Sequence, residues 1–210
     1  MKLISLTFDD GPNTVTTPQV LDLLEEYGIA ASFFLIADRI DPDSAAVVRR
    51  ALRLGCEIEN HSTTHSMMAG MTPDQIRREV DHCTQMIVDI TGRPPRFFRP
   101  PYIDVSRTLF NEIRLTFISG TGCKDWMPET TAEERIEIML DNAKDGEIFL
   151  LHDMTGNDNT VTALKTVIPE LKKRGFGFVT CGQLFDRYGI TPKHEYLYSN
   201  VFQTETQNKL

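Results

Sequence analysis

Several features are scarce or missing in this 210-residue sequence, and each absence narrows the range of functions. Basic residues are outnumbered: 22 Lys and Arg stand against 30 Asp and Glu, which gives a formal net charge of −8. Because nucleic acids and anionic membranes attract basic surfaces, we expect neither as a main partner. No stretch approaches the ~20 apolar residues of a membrane-spanning helix, so no membrane segment is predicted. A neutral partner such as a sugar is compatible with this charge.

Cysteines are few and widely spaced, and Cys56, Cys83, Cys123 and Cys181 form no CxxC pair. Four unpaired thiols are typical of a reducing compartment, and two long-range disulfides are the alternative. A secretory signal is also missing, because residues 1–3 lead directly into an apolar run. These observations favour the cytoplasm, with a secreted mature form, from which a signal was removed, as the alternative.

What the sequence does contain is a regular alternation of short apolar runs and amphipathic segments. Helical spacing of apolar residues, as in Ile76, Val80, Cys83 and Ile87, predicts helices between the runs. Such βα-like units predict an α/β fold with a parallel sheet, either an open doubly wound sheet or a closed barrel. The seven runs that predict strands are 3–8, 31–36, 56–59, 96–98, 115–119, 148–151 and 176–180.

No linker and no internal repeat divides the chain, so a single domain is predicted over residues 1–188. Residues 189–210 are polar, and we expect them to form a C-terminal tail that is loose at its end.

Residues with reactive side chains follow five of the predicted strands. Because the carboxyl ends of parallel strands lie at one rim, where sites in this fold class are built, we expect these side chains to form one site. They are Asp9 and Asp10 after the first strand, His61 and His65 after the third, Arg99 and Tyr102 after the fourth, Asp125 and Trp126 after the fifth, and His152 at the end of the sixth.

His61 and His65, in NHSTTH, are four residues apart, which places both imidazoles on one side of a turn. Two partly exposed loop histidines are the simpler interpretation of an isolated HxxxH. Position 62 is Ser, which excludes the HExxH pattern of zinc proteases. Asp9 and Asp10 either cap a turn or supply a carboxylate. Two imidazoles with one carboxylate suit catalytic zinc or non-haem iron, and the second Asp is then free to take a proton from water.

His152 ends the apolar run 148–151, which predicts either a neutral core histidine or a general acid. Asp125 is the candidate carboxylate that would keep such an acid protonated. Asp153 is interpreted as a surface residue, because its side chain should point away from that of His152.

Arg99 lies in the stiff, apolar segment FFRPPY. It is either a surface cation or a side chain that orients a carboxylate through a bidentate contact. Tyr102 and Trp126 are interpreted as core aromatics. Trp126, the only Trp, fits equally well as the wall of a sugar-sized groove.

Taken together, the motifs TFDDGP, HSTTH, RPPY, DW and LLH resemble, in order and spacing, those of the polysaccharide deacetylases, carbohydrate esterase family four. The resemblance runs from about Leu3 to Leu184. The segments FFRPPYIDVSRTLFN and KDWMPETTAEER look most like the clostridial acetylxylan-esterase type. The resemblance implies a distorted (β/α) barrel of about seven parallel strands, with the catalytic domain over 1–188.

The resemblance also implies one divalent transition metal, most often zinc and alternatively cobalt or nickel. Its ligands, carried over motif by motif, are Asp10, His61 and His65. Asp9 resembles the catalytic base, and Arg99 resembles the residue that positions it.

The remaining motifs imply the acid and the substrate pocket. His152 resembles the general acid, tuned by Asp125, and the backbone N–H of Tyr102 resembles an oxyanion donor. Two positions depart from the family pattern: Ile103 stands where Gly is common, and Gly122 where an Asp is common. The implied pocket residues are Pro101, Trp126 and Leu150.

The predicted function is therefore metal-dependent removal of O-acetyl or N-acetyl groups from a carbohydrate polymer or oligomer. Acetylxylan or xylo-oligosaccharide is favoured, and chitooligosaccharide or peptidoglycan N-acetylglucosamine is the alternative substrate. Two other classes compete: a non-catalytic carbohydrate-binding relative, and an iron oxygenase, which would need a β-rich jelly-roll scaffold. A monomer or weak homo-oligomer is expected.

Overall fold

The computed structural model describes residues 1–203, and nine strands and seven α-helices alternate within them. The strands are β1 (Lys2–Gly11), β2 (Ser32–Leu35), β3 (Glu57–Asn60), β4 (Phe97–Phe98), β5 (Thr116–Ile118), β6 (Thr121–Gly122), β7 (Ile148–His152), β8 (Phe176–Phe178) and β9 (Leu197–Tyr198). The helices are α1 (Thr16–Tyr27), α2 (Pro42–Arg53), α3 (Pro73–Thr91), α4 (Arg107–Glu112), α5 (Ala132–Asn142), α6 (Asp158–Lys173) and α7 (Cys181–Arg187).

The strands form one sheet in the order β6-β7-β1-β2-β3-β4-β5-β9, and β8 pairs with the start of β1. All of these pairings are parallel. The backbone beyond β9 bonds to the start of β7, because Ile148 donates to the Ser199 carbonyl at 3.0 Å and Val201 to the Gly146 carbonyl at 2.9 Å. The sheet therefore curls into the distorted parallel barrel that the sequence predicts.

Side chains along β1 point alternately to two faces of the sheet: one face packs in the hydrophobic core, and the other leads to the site. Ile4, Leu6 and Phe8 pack against apolar residues of α1 and α6 in the largest core cluster. Because successive side chains on a strand point to opposite faces, Leu3 and Asp9 lie on the other face, toward the barrel interior. Leu3 joins a second apolar cluster there, and Asp9 reaches the carboxyl-end rim.

Three helices begin at residues whose side chains cap the first helical turn. Asp41, Thr72 and Thr131 each accept a hydrogen bond from the backbone three residues later, and each forms a reciprocal capping box. These caps satisfy N–H groups that the first helical turn leaves unpaired. They fix where α2, α3 and α5 start, and so where the preceding rim loops end.

The sequence predicts no strand after residue 180, and the structure adds one there. Leu197 and Tyr198 pair with Phe117 and Ile118 of β5, and Leu197, Tyr198 and Val201 are all buried. Isolated apolar residues in a polar segment give too weak a periodic signal to identify a two-residue strand. Over residues 197–203 the tail is thus part of the barrel. Its expected loose end, 204–210, lies outside the described residues, and the domain boundary at 188 stays a prediction.

All four cysteines are buried with free thiols, which is the unpaired alternative of the sequence analysis. Within residues 1–203, no helix has both the length and the apolar character needed to cross a bilayer.

Candidate active site

The acidic doublet lies at an irregular end of β1. Asp10 has a left-handed backbone, with φ of 71°, and the pairing with β2 shifts register between Asp9 and Gly11. A regular strand would send the two carboxylates to opposite faces, and a bulge re-aims one of them. As a result both Asp9 and Asp10 line the same cavity.

Asp10, His61 and His65 form a ligand triad whose donor atoms all lie within 4.8 Å of one another. Nε2 of His65 is 3.4 Å and Nε2 of His61 is 3.7 Å from Oδ1 of Asp10. Nδ1 of His61 is 2.7 Å from the carbonyl oxygen of Arg99. That carbonyl can only accept, so Nδ1 carries the proton and Nε2 presents its lone pair to the cavity.

The electrostatics of the triad fit a cation. Burial lowers the pKa of His61 to about 3 and also lowers that of His65, so both rings are neutral ligands at pH 7. Oδ1 of Asp10 is buried and has no hydrogen-bond partner among the described residues. A buried carboxylate oxygen without a donor is costly unless a cation satisfies it. Two imidazoles and one carboxylate are a donor set suited to a divalent transition metal.

Asp9 is held by Arg99. Nη1 of Arg99 lies 2.5 Å from Oδ1 of Asp9, and Nε donates to the Ile118 carbonyl at 3.3 Å. The guanidinium stacks 4.2 Å from the centre of the Phe34 ring. The predicted bidentate contact is wrong, because these other contacts fix the guanidinium so that only one nitrogen faces Asp9. Nη2 is buried without a partner among the described residues.

Burial raises the pKa of Asp9, and the charge of Arg99 opposes that rise. The carboxylate is thus more basic than an exposed Asp, yet it keeps a cation that holds it ionised and oriented. Both properties suit a group that accepts a proton during a reaction.

His152 and Asp125 form a second hydrogen-bonded pair. Nδ1 of His152 is 2.8 Å from Oδ1 of Asp125, whose Oδ2 accepts the His152 backbone N–H at 2.7 Å. Burial alone would lower the pKa of His152, but the bond and charge of Asp125, together with the charges of Asp9 and Asp10, raise it to about 9. The imidazole is therefore protonated at pH 7 and able to donate a proton.

The cavity between these groups has a volume of about 490 Å³. Leu150 and Trp126 line it beside His152, and the indole lies 5.8 Å from the imidazole, ring centre to ring centre. Tyr102 lies 4.7 Å from His65 in the same measure. Because Tyr102 is 64% and Trp126 48% exposed, they form an open aromatic rim rather than core packing.

One predicted pocket residue is replaced by its neighbour. Both prolines are buried, but Pro100 lines the cavity and Pro101 does not. Pro100 has extended backbone, and in extended chain adjacent side chains face opposite ways, so only one of the two prolines can face the cavity.

The loop that follows these prolines is strained. Tyr102 and Ile103 have φ values of 59° and 54°, which is rare for Tyr and rarer still for a β-branched residue. Two backbone bonds hold the turn, from Ile103 to Pro100 and from Asp104 to Pro101, both at 3.0 Å. The strain sits beside the amide predicted to stabilise an oxyanion, and that role stays a prediction.

Asp153 is the residue that the sequence analysis placed wrongly. Its side chain is fully buried. Its backbone N–H donates to the Asp9 carbonyl at 3.1 Å, which extends the pairing of β1 with β7 by one residue beyond His152 and keeps Asp153 inside the fold. Its carboxylate accepts a hydrogen bond from Thr17. A Cβ on Gly11 would lie only 2.9 Å from both carboxylate oxygens, so a glycine is required there.

Two further residues missed from the sequence hold Asp125. Thr160 donates to its Oδ2 at 3.0 Å and Asn157 at 3.4 Å. Both come from the start of α6, and the polar cluster NDNT, which begins four residues after the end of the LLHD motif, was the available signal.

A candidate base and a candidate acid both line the cavity that carries the ligand triad, at the carboxyl-end rim of one parallel barrel. This arrangement suits a hydrolase that combines acid–base chemistry with a metal. The sequence model of the family described as polysaccharide deacetylase matches residues 1–117, and the chain belongs to that family.

Individual relatives agree with this assignment. The chain is 46% identical over 201 residues to a bifunctional xylanase/deacetylase of Pseudobutyrivibrio xylanivorans, covering 95% of this chain and 33% of that protein. It is 34% identical to a peptidoglycan-N-acetylglucosamine deacetylase of Bacillus cereus, covering 87% and 88%. The chain thus spans about a third of the bifunctional relative.

Among solved structures, a family 4 acetyl xylan esterase from Clostridium thermocellum in complex with a cobalt ion superposes with a TM-score of 0.93. It is 42% identical, and the match covers 96% of this chain and all of that chain. The metal belongs to that structure, and the residues of this chain that fit one are Asp10, His61 and His65.

Proposed function

We propose that this protein removes acetyl groups from acetylated xylan or xylo-oligosaccharides, with zinc held by Asp10, His61 and His65. The observation that carries the proposal is that Asp9 and His152 line one cavity with the triad. One is a carboxylate of raised pKa and the other an imidazolium, so the site holds a proton acceptor and a proton donor at once.

When bound, zinc supplies Lewis acidity, which lowers the pKa of a water toward ~7 and polarises an acetyl carbonyl. Asp9 accepts the proton that this water loses as its oxygen bonds to the acetyl carbon. The bond from that carbon to the sugar oxygen then breaks, and His152 gives its proton to the departing oxygen. Acetate and a sugar hydroxyl are the products.

The other predicted residues position these steps. Arg99 keeps Asp9 ionised, and Asp125 keeps His152 charged. The backbone N–H of Tyr102 would stabilise the oxyanion, a contribution of about 3–4 kcal/mol in other acyl-transfer sites. The apolar side chains of Leu150 and Trp126 beside His152 suit an acetyl methyl group.

Xylan is favoured as the substrate by the similarity to the acetyl xylan esterase over its whole length. The exposed aromatic rim suits stacking on sugar rings. A net charge of −8 suits a neutral polysaccharide. Chitooligosaccharide and peptidoglycan N-acetylglucosamine are the alternatives, and for an N-acetyl substrate protonation by His152 matters more, since an amide anion is a poor leaving group.

The test is acetate release from acetylxylan, chitin oligomers and peptidoglycan, after chelation and with zinc, cobalt or nickel added back. We expect acetylxylan to be the best substrate and zinc to restore activity. Asp9→Asn should fold and bind metal yet lose hydrolysis, and near-normal turnover of this variant would refute the base. His61→Ala and His65→Ala should lose metal by elemental analysis.

The same test separates the other classes. A non-catalytic binding relative would retain acetylxylan without releasing acetate, but all of the expected acid, base and ligand side chains are present in the cavity. An iron oxygenase would need a jelly-roll scaffold, and the sheet here is a parallel barrel. Anaerobic acetate release without an added oxoacid would exclude it directly.

A further inference from the structure

The loop over residues 61–65, which carries both imidazole ligands, has no regular secondary structure. Ser62 and His65 both have left-handed backbone, with φ of 69° and 60°. This conformation costs free energy for any residue with a Cβ, and it persists only where the surroundings impose it. Something outside the loop must therefore hold it.

The backbone donors of this loop show what holds it. Each of its five N–H groups has an acceptor. Three acceptors are nearby in sequence or on the adjoining strand: the Leu35 carbonyl at 3.0 Å, Oδ1 of Asn60 at 2.8 Å and Oγ of Ser62 at 3.1 Å. The other two donors, at the centre of the loop, turn to a helix.

Glu79 of α3 accepts both. Its Oε2 takes the N–H of Thr63 at 3.0 Å and that of Thr64 at 2.9 Å. Its Oε1 accepts the Thr64 hydroxyl at 2.9 Å, and its backbone carbonyl accepts the Thr63 hydroxyl at 2.7 Å. One residue thus makes four hydrogen bonds to the two positions between the strained Ser62 and His65.

The helix that carries Glu79 is well anchored in the core, so Glu79 has a fixed position. α3 is 19 residues long, and it is anchored by the buried side chains of Ile76, Val80, Cys83 and Ile87. Glu79 itself does not line the cavity. Glu79 therefore acts on the site without touching a group bound there, either by holding the loop or through its charge.

We propose that Glu79 is a positioning residue that holds the 61–65 loop in its strained form, so that both imidazoles face Asp10 and the divalent metal binds tightly. The inference rests on the metal site of the proposed function. Groups that orient metal ligands from behind commonly change metal affinity by 10–100-fold when they are removed.

Three variants distinguish the effect of the hydrogen bonds of Glu79 from the effect of its negative charge. Glu79→Ala removes every side-chain contact. Glu79→Asp keeps the charge but is one methylene too short to reach Thr63 and Thr64. Glu79→Gln loses the charge but keeps an acceptor oxygen for both N–H groups, and its amide can donate to the Thr64 hydroxyl oxygen. Asp81→Ala is the control, an exposed acid of the same helix.

The measurement is titration of the metal-free proteins with Co²⁺ alone, followed by visible absorption, and Zn²⁺ competition against a chromophoric chelator. We expect about tenfold or greater loss of affinity in Glu79→Ala and Glu79→Asp. Glu79→Gln and Asp81→Ala should stay within about threefold of the parent. Circular dichroism checks the fold, and if Glu79→Ala does not fold, Glu79→Asp carries the test.

Three results would overturn the inference. Parent-like Co²⁺ affinity in Glu79→Asp would show that the loop does not need these bonds. Equal loss in Glu79→Gln and Glu79→Ala would show that charge, not position, is what matters. A parent protein that takes up neither metal would overturn the metal site itself, which is a failure of the proposed function and is recognisable as such.

Discussion

Arg99 and Asp9 form an ion pair at 2.5 Å in which both side chains are almost wholly buried. Taking two charges out of water is costly, and the cost is offset only while each partner keeps the other. The pair therefore ties the stability of the barrel to the residue proposed as the base.

Replacing Arg99 by Ala should destabilise the protein by about 3–5 kcal/mol, because Asp9 is left as a buried, unpaired carboxylate. Urea unfolding at pH 7 measures this change. The double variant Asp9→Asn, Arg99→Met should recover part of the loss, since it leaves no buried charge. A single variant that loses less than about 1 kcal/mol would contradict the reasoning.

The pKa of His152, about 9, should set the alkaline limb of activity. Asp125→Asn removes the charge that raises the pKa of His152, and burial, which lowers that pKa, remains. The alkaline limb of kcat/KM should therefore move to lower pH by more than one unit.

Trp126, the only Trp, lies beside His152, and its fluorescence should follow the same titration because an imidazolium quenches an indole. If the alkaline limb of kcat/KM does not shift in Asp125→Asn, Asp125 does not set the pKa of His152.

The same residue affects stability in a defined pH window. The folded pKa of His152 lies above its ordinary value of 6.5. Its stabilising contribution is therefore complete below about pH 6.5 and is lost as the pH rises through about 9.

Gly122 should set the position of Trp126. A Cβ at Gly122 would lie 2.8 Å from the indole ring, and its φ is not left-handed, so alanine would strain the contact rather than the backbone. Gly122→Ala should displace the indole and raise KM several-fold with little change in kcat, as expected for lost substrate binding. Gly70→Ala, where a Cβ meets nothing within 4 Å, is the matched control.

Asp153 should make stability fall as pH rises. Burial raises its pKa from 3.8 to about 7, so between these values the folded protein keeps a proton that the unfolded chain has lost. Asp153→Asn cannot ionise, and its melting temperature relative to the parent should be higher at pH 8 than at pH 5. Asp81→Asn, at an exposed position, is the control and should show no such trend. If the difference in melting temperature between Asp153→Asn and the parent does not change with pH, ionisation of Asp153 does not affect stability.

The fold was largely predictable because it depends on local periodicity. The apolar run 148–151 became Ile148–His152, and the run 31–36 contains the strand Ser32–Leu35. The strand Thr121–Gly122 was missed because neither residue is apolar, and Leu197–Tyr198 because it stands in a polar segment. What makes them strands is pairing with distant parts of the chain.

The site was predictable as a set of residues at one rim, but not in its detail. Strand ends bring Asp10, His61 and His65 together, as expected from topology. The single contact of Arg99, the burial of Asp153 and the reach of Glu79 depend on side-chain directions that spacing does not encode. The catalytic roles themselves stay predictions until the variants are measured.

The position of β9 has a consequence for synthesis. Its residues, 197–198, fill the place between the edge of β5 and the start of β7, although they are made after all the other strands. A nascent chain that has emerged only to residue 190 exposes two unpaired edges, which are prone to association. The barrel can therefore close only after residues 197–201 have left the ribosome, and a chain paused before that point should depend on chaperones.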